Sequence, residues 1–204
     1  MIIRWNGHSC FTVETAQGTV VLDPYAPDSV PGLPALDLKG DAVLCSHGHA
    51  DHSAADQVTL SGGTCAVAVE EIPCYHDKVQ GAKRGPNTIR ILSAEGMRVA
   101  HLGDLGHPLD LEQVEKLKNL DALMIPVGGF FTIDAAQAKE IVEELKPRVV
   151  IPMHYRGEGF GYDILAPLDD YLSLVDGPIV RYPGNSMELT PETFAQTAVL
   201  ACPL

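Results

Sequence analysis

The sequence predicts an α/β protein built as a four-layer αββα sandwich, with two sheets face to face and helices outside. Three observations lead there. Short strand-like runs separated by Gly, Pro and Asp fill the first half, clear helical periodicity first appears near residue 110, and strand-like and helical segments alternate after it. At 204 residues the chain suits one domain over residues 1–204, because no low-complexity or linker-like stretch marks a boundary.

Taken in order, residues 2–5, 10–15 and 19–23 read as strands, and residues 41–46 form another after a proline-rich loop from Pro24 to Pro34. Residues 64–69, 72–76, 87–92 and 97–104 are strand-like as well, with a hairpin turn at Gly96-Met97. Helical period begins at Asp110, where Asp110 and Gln113 make a capping-box start ahead of Val114 and Leu117. Residues 121–127 read as a buried strand. A helix over residues 134–145 follows, capped by Asp134, striped by Ala138, Ile141, Val142 and Leu145, and stopped by Pro147. Residues 148–154 give one more strand, residues 167–175 a weaker helix, and short strands near Ile179 and Met187 finish the pattern.

Fourteen Lys and Arg against 27 Asp and Glu leave a formal charge of −13. Such a surface repels phosphate backbones and anionic headgroups over most of its area, which points away from nucleic acid and membrane partners and toward a small-molecule substrate. No apolar run approaches the roughly 20 residues of a membrane span, and the first residues lack the pattern of an export signal. A cytoplasmic location is therefore expected. The five cysteines are odd in number and include no CxxC pair, so buried free thiols are expected rather than disulfides.

One stretch is not explained by packing. Residues 45–53, CSHGHADHS, place His47, His49, Asp51 and His52 within six positions, directly after a strand. HisXHis at a strand exit lets two rings reach one ion, and Asp51-His52, expected to open a helix, point elsewhere; two sets of ligands imply two metals. Further ligands stand at other strand ends: His76, Asp104 and His154, with Asp104 fitted to bridge. His101 sits inside a strand on the opposite parity to Asp104, and a structural role suits it better.

With these residues the chain resembles the metallo-β-lactamase-fold hydrolases. HisGlyHisAlaAspHis at 47–52, LeuAspPro at 22–24, GlyAsp at 103–104 and MetHis at 153–154 follow the order of that family's motifs. TrpAsnGlyHisSerCysPhe at 5–11, TyrHisAsp at 75–77, ArgGlyProAsnThr at 84–88 and HisLeuGlyAspLeuGlyHis at 101–107 resemble the branch that includes ascorbate-6-phosphate lactonase and, more distantly, N-acylphosphatidylethanolamine phospholipase D. The resemblance spans residues 1 to 155. It implies the metallo-β-lactamase fold, with His47, His49 and His76 on one metal, Asp51, His52 and His154 on a second, Asp104 between them, and Asp23 bracing the loop from beneath. The chain is shorter than either named relative and lacks the inserted domain of the RNA-processing branch, so their substrates do not carry over.

Two divalent ions joined by a carboxylate lower the pKa of a shared water, so hydrolysis of an ester, lactone or phosphodiester is the chemistry expected. Zinc is the expected ion, with manganese or iron as alternatives. Asp51, His8 and His107 are the catalytic candidates, the two histidines as proton-transfer or orienting groups. Arg84, Asn87 and Arg156 are the candidate substrate contacts, with Lys83 as a further basic residue beside them. GlyGlyPhePhe at 128–131 follows a strand and is placed to wall the pocket, although core packing is the expectation preferred for Phe130 and Phe131. Two rival readings stand beside hydrolysis: an iron centre for oxygen or electron chemistry, which retention of His49 and lack of a flavin domain disfavour, and a metal-binding protein without turnover.

Overall fold

Alternation of side chains builds the first sheet. The computed structural model describes residues 1–204, and its first strands are β1 (Ile2–Gly7), β2 (Cys10–Thr15) and β3 (Gly18–Leu22), an antiparallel meander. Short β4 (Leu38–Gly40) and β6 (Val58–Leu60) pair only with each other, while β5 (Ala42–Leu44) joins β3 in parallel. On β2 and β3, Phe11, Val13, Val20 and Leu22 face the main core of 42 buried residues. The opposite parity, Cys10 and Val21, packs in a second cluster with Tyr25, Val30 and Val58. The proline-rich loop supplies Tyr25 and Val30, so loop rather than helix covers that outer face.

The second sheet has seven strands. The strands β7 (Ala68–Tyr75), β8 (Pro86–Ala94) and β9 (Met97–His101) are antiparallel, and β10 (Ala122–Pro126), β11 (Val149–Met153), β12 (Ile179–Arg181) and β14 (Gln196–Val199) continue from β9 in parallel, in the order β12-β14-β11-β10-β9-β8-β7. Parallel neighbours need crossovers, and α1 (Leu111–Lys116) and α2 (Ala135–Leu145) provide those between β9, β10 and β11. A third helix, α3 (Leu168–Leu172), follows β11. Every residue of β10 and β11 is buried, as expected of central strands covered on both faces. After β12 the chain crosses to the first sheet, where β13 (Ser186–Glu188) pairs with β1.

Local chemistry explains most boundaries. Asp110 and Asp134 both form reciprocal capping boxes with Gln113 and Gln137. The β8–β9 hairpin turns through Glu95 and Gly96, both with positive φ, as a tight two-residue hairpin requires. Two expectations fail. No helix starts at Asp51-His52: the chain turns there, with His52 N donating to His49 O, and makes only a single 3-10 turn at Ala55–Gln57. The strand expected at 64–69 begins at Ala68 instead, because pairing with β8 runs in unbroken register from Ala68↔Ser93 to Tyr75↔Pro86.

Candidate metal centre

Strand direction gathers the chemistry at one rim. In the second sheet β7, β9, β10 and β11 run the same way, so the residues that follow them, His76, Asp104, Phe131 and His154, emerge together. In the first sheet β1, β3 and β5 are likewise codirectional, and His8, Asp23 and His47 follow their ends. His154 N donates to His8 O at 3.2 Å, which joins the two rims. Three of these residues, His8, Asp23 and His154, hold positive φ, strain of the kind found where surrounding structure fixes a functional backbone.

Asp104 Oδ2 occupies the middle. The Nε2 atoms of His76, His154, His52 and His47 lie 3.1, 3.2, 3.3 and 3.9 Å from it. One donor atom from each of His47, His49 and His76 falls within 4.8 Å of the others, and the same holds for His8, Asp51, His52 and His154. Asp23 approaches His47 and His52 as closely, but its oxygens already accept from Ser46 N at 2.6 Å, Ser46 Oγ at 2.5 Å and His52 Nδ1 at 2.8 Å. It braces rather than offers a free lone pair. Asn87 braces from the other side, its Oδ1 accepting from Asp104 N at 3.0 Å and its amide donating to Leu102 O at 2.9 Å.

The polar atoms aimed inward have nothing to bond. His47 Nε2, His52 Nε2 and Asp104 Oδ1 are buried without a hydrogen-bond partner, a costly state in any closed protein interior. Burial, reinforced by His52, pushes His47 down to about 3, and burial with His154 pushes His8 down to about 4, so both rings are neutral at neutral pH and carry the free lone pair a metal needs. Burial disfavours a charged His52, yet Asp104 and Asp23 outweigh it and hold its pKa well above the usual value. Burial likewise raises Asp104, but His154 and His52 overcome it and keep the carboxylate ionised. The centre thus seeks positive charge between its carboxylates. Nitrogen and oxygen donors without sulfur suit zinc, manganese or iron, and the residues present fit divalent ions.

A family model described as a beta-lactamase superfamily domain matches residues 2–154, which include every residue of the cluster. The chain belongs to that superfamily. Its relatives include a UPF0173 metal-dependent hydrolase of Archaeoglobus fulgidus, 30% identical over 195 residues that cover 76% of this chain and 83% of the relative. A second, from Thermoplasma volcanium, is 28% identical over 186 residues, 75% of this chain and 82% of the relative. Within the superfamily, the chain belongs with these UPF0173 metal-dependent hydrolases. It also resembles a solved Thermotoga maritima structure assigned to the Zn-dependent hydrolases of the metallo-beta-lactamase superfamily, at 33% identity, 98% coverage of both chains and a TM-score of 0.76.

For a metallo-β-lactamase-fold chain, the surroundings of the centre decide specificity, and several expectations change there. A cleft of about 270 Å³ is lined by His49, Asp51, His76, Arg84, Asp104, Phe131, His154 and Tyr162. Arg84, a candidate substrate contact, lines this cleft. His107 is not part of the cleft: its Nε2 accepts from Tyr75 N at 3.1 Å and its Nδ1 bonds Pro108 O at 2.7 Å, so backbone occupies both nitrogens. Asn87 is buried behind Asp104, out of a substrate's reach. Arg156 bonds Leu165 O at 2.7 Å and lines a different cavity, beside Trp5 and Tyr182. His8 does not line the cleft either, but it is buried with its Nε2 3.3 Å from Asp51 Oδ2, which does. Phe131 walls the cleft and Phe130 is 59% exposed, so neither packs in the core. His101 bonds Ser9 O at 2.8 Å and accepts from Gly103 N, a structural place.

Tyr162 was not foreseen. Its hydroxyl lies 2.5 Å from Ser29 O and 3.4 Å from Asp51 Oδ2. The surrounding run GluGlyPheGlyTyr carries no ligand pattern; only its two glycines hint at a shaped loop.

Proposed function

We propose that this chain is a hydrolase of a small-molecule ester, lactone or phosphodiester that works with two divalent ions, zinc first among them. His47, His49 and His76 would hold one ion, Asp51, His52 and His154 the other, and Asp104 both. What carries the reading is a single observation: four imidazole Nε2 atoms surround one carboxylate oxygen, Asp104 Oδ2, within 3.9 Å. When bound, such ions supply Lewis acidity and make a water acidic enough to be a nucleophile near neutral pH.

The chain's own groups do the rest. Asp23 accepts the Nδ1 proton of His52, which fixes the tautomer whose Nε2 is turned toward Asp104. His8 stands against Asp51 and orients it. Burial, with Asp51 beside it, raises Tyr162 to about 12, so its hydroxyl keeps its proton, donates it to Ser29 O, and leaves its oxygen as an acceptor at the cleft edge. Arg84 brings a fixed positive charge to the same cleft. The flanking motifs shared with the lactonase-like branch make lactones the first substrates to try. The five free cysteines support placing the protein in a reducing, cytoplasmic setting.

Purified protein loaded with zinc or manganese and quantified for metal should hydrolyse members of a panel of lactones, thioesters and phosphodiesters. Asp104→Ala should abolish that turnover and lower metal content from two ions to one or none. Two bound ions and full turnover in Asp104→Ala would overturn the ligand assignment.

A further inference from the structure

Next to the cleft lies a second cavity of about 270 Å³, lined among others by Asp77, Lys78, Lys83, Arg84, Phe131 and Asp134. The two share Arg84 and Phe131 as a common wall. We infer that this cavity is a phosphate subsite, which holds a phosphate group of the substrate while the adjoining bond is presented to the metal centre; the link to the substrate rests on the hydrolase reading above.

Charge accounting supports it. In a chain with 14 basic residues and a net charge of −13, cations are scarce, and eight of them, Arg4, Arg90, Arg98, Lys116, Lys118, Lys139, Arg148 and Arg181, pair with carboxylates. Lys78, Lys83 and Arg84 are among the six that pair with none, and these three stand together at one cavity. Their neighbour Asp77 keeps its negative charge but forms no ion pair with them, because its carboxylate oxygens are turned to the backbone. Oδ1 accepts from Val79 N and Gly81 N, both at 2.9 Å, and Oδ2 accepts from Lys83 N at 2.9 Å and Arg84 N at 2.8 Å.

Those four bonds also explain why the loop can act as a built element. They lock residues 77–84 immediately after His76, and Gly85 N closes the loop onto Gly81 O at 2.9 Å. Arg84 leaves it with its guanidinium 5.4 Å from the Phe131 ring centre and 5.9 Å from that of Phe130. No protein oxygen occupies the fork, which is therefore free for a planar or tetrahedral anion. Three cations suit a phosphate dianion better than a lone carboxylate. The opposing charges are Asp77, whose oxygens are turned to the loop backbone, and Asp134, the N-cap of α2; both line the same cavity.

The test is calorimetric titration of inorganic phosphate into metal-loaded protein. The double variant Lys78→Ala/Lys83→Ala should weaken phosphate binding about tenfold with metal content unchanged, because both lysines lie outside the cleft that holds the histidines. Asp134→Asn, which keeps a good helix cap, should tighten it. Acetate should bind at least tenfold more weakly than phosphate. Phosphate affinity unmoved by all three substitutions would place the anion on the metal centre alone and overturn the inference, as would equal affinity for acetate. The two readings separate cleanly. A protein that takes up no metal and hydrolyses nothing, yet binds phosphate through these residues, keeps the subsite and loses the hydrolase; turnover of esters with lysine-independent phosphate binding does the reverse.

Discussion

Asp23 shows how a residue that need not touch a substrate can govern a reaction. It accepts three hydrogen bonds beneath the ligand loop, and one of them sets the His52 tautomer. Asp23→Asn should lower zinc affinity by about 10- to 100-fold, the usual effect of losing a ligand's orienting partner; a competition titration with a chromophoric chelator measures it, and unchanged affinity would remove Asp23 from this role. Asn87→Ala should leave the Asp104 amide and the Leu102 carbonyl buried without partners, at a cost of about 1–3 kcal/mol for each group, readable in a urea melt. The His/Asp cluster was legible because imidazole and carboxylate gathered at strand ends have few other uses. Asn87 and His107 misled because a polar residue near a ligand looks the same in sequence whether it faces substrate or backbone. Tyr162 gave no signal, since a tyrosine acquires its role only from what the fold sets opposite it.

The turn after β9 carries the largest burden of any element. Gly103 has φ +54, and a Cβ there would stand 2.4 Å from Asn87 Oδ1 and 2.5 Å from Ser46 Cβ. Gly103→Ala should therefore displace Asp104, destabilise the fold by about 1–3 kcal/mol through overpacking, and reduce metal uptake. Gly96, in the β8–β9 turn, has φ +75 but nothing within 4 Å, so Gly96→Ala should cost only the left-handed strain of about 1 kcal/mol and leave metal uptake intact. Equal metal loss in both variants would refute the distinction. Capping boxes and the hairpin turn were legible because each is written in adjacent residues. The short strands β4, β6 and β14 were not, since three or four residues of strand are defined by a distant partner rather than by their own pattern. The helix expected at Asp51 failed for a related reason: Asp51 and His52 are held by His8 and Asp23, contacts from other strands.

At the level of the whole molecule, the His/Asp cluster couples stability to pH. His8 and His47 have folded pKa values of about 4 and about 3 against 6.5 unfolded, so below pH 6.5 the unfolded chain binds protons that the folded chain refuses. Stability of the metal-free protein should fall as pH drops from 6.5 toward 4, by at most about 1.4 kcal/mol per unit for each ring. His52, raised instead, should give the opposite trend above pH 6.5, its contribution being lost as pH climbs through its folded value. Urea midpoints of chelated protein at pH 4.5, 6.5 and 8.5 would check both limbs; a midpoint that rises between 6.5 and 4.5 contradicts the first. The sandwich itself was readable from periodicity, whereas the crossing of β13 back to β1 was not, because no local feature announces which edge a late strand will join. The same long-range closure has a kinetic consequence at the bond from His154 to His8. Until the first turn of the polypeptide meets the end of β11, the imidazoles are scattered along an open chain. Ion loading must then follow docking of the two halves, and zinc uptake during refolding should track the slowest phase seen by tryptophan fluorescence, since Trp5 donates to that same His8 carbonyl.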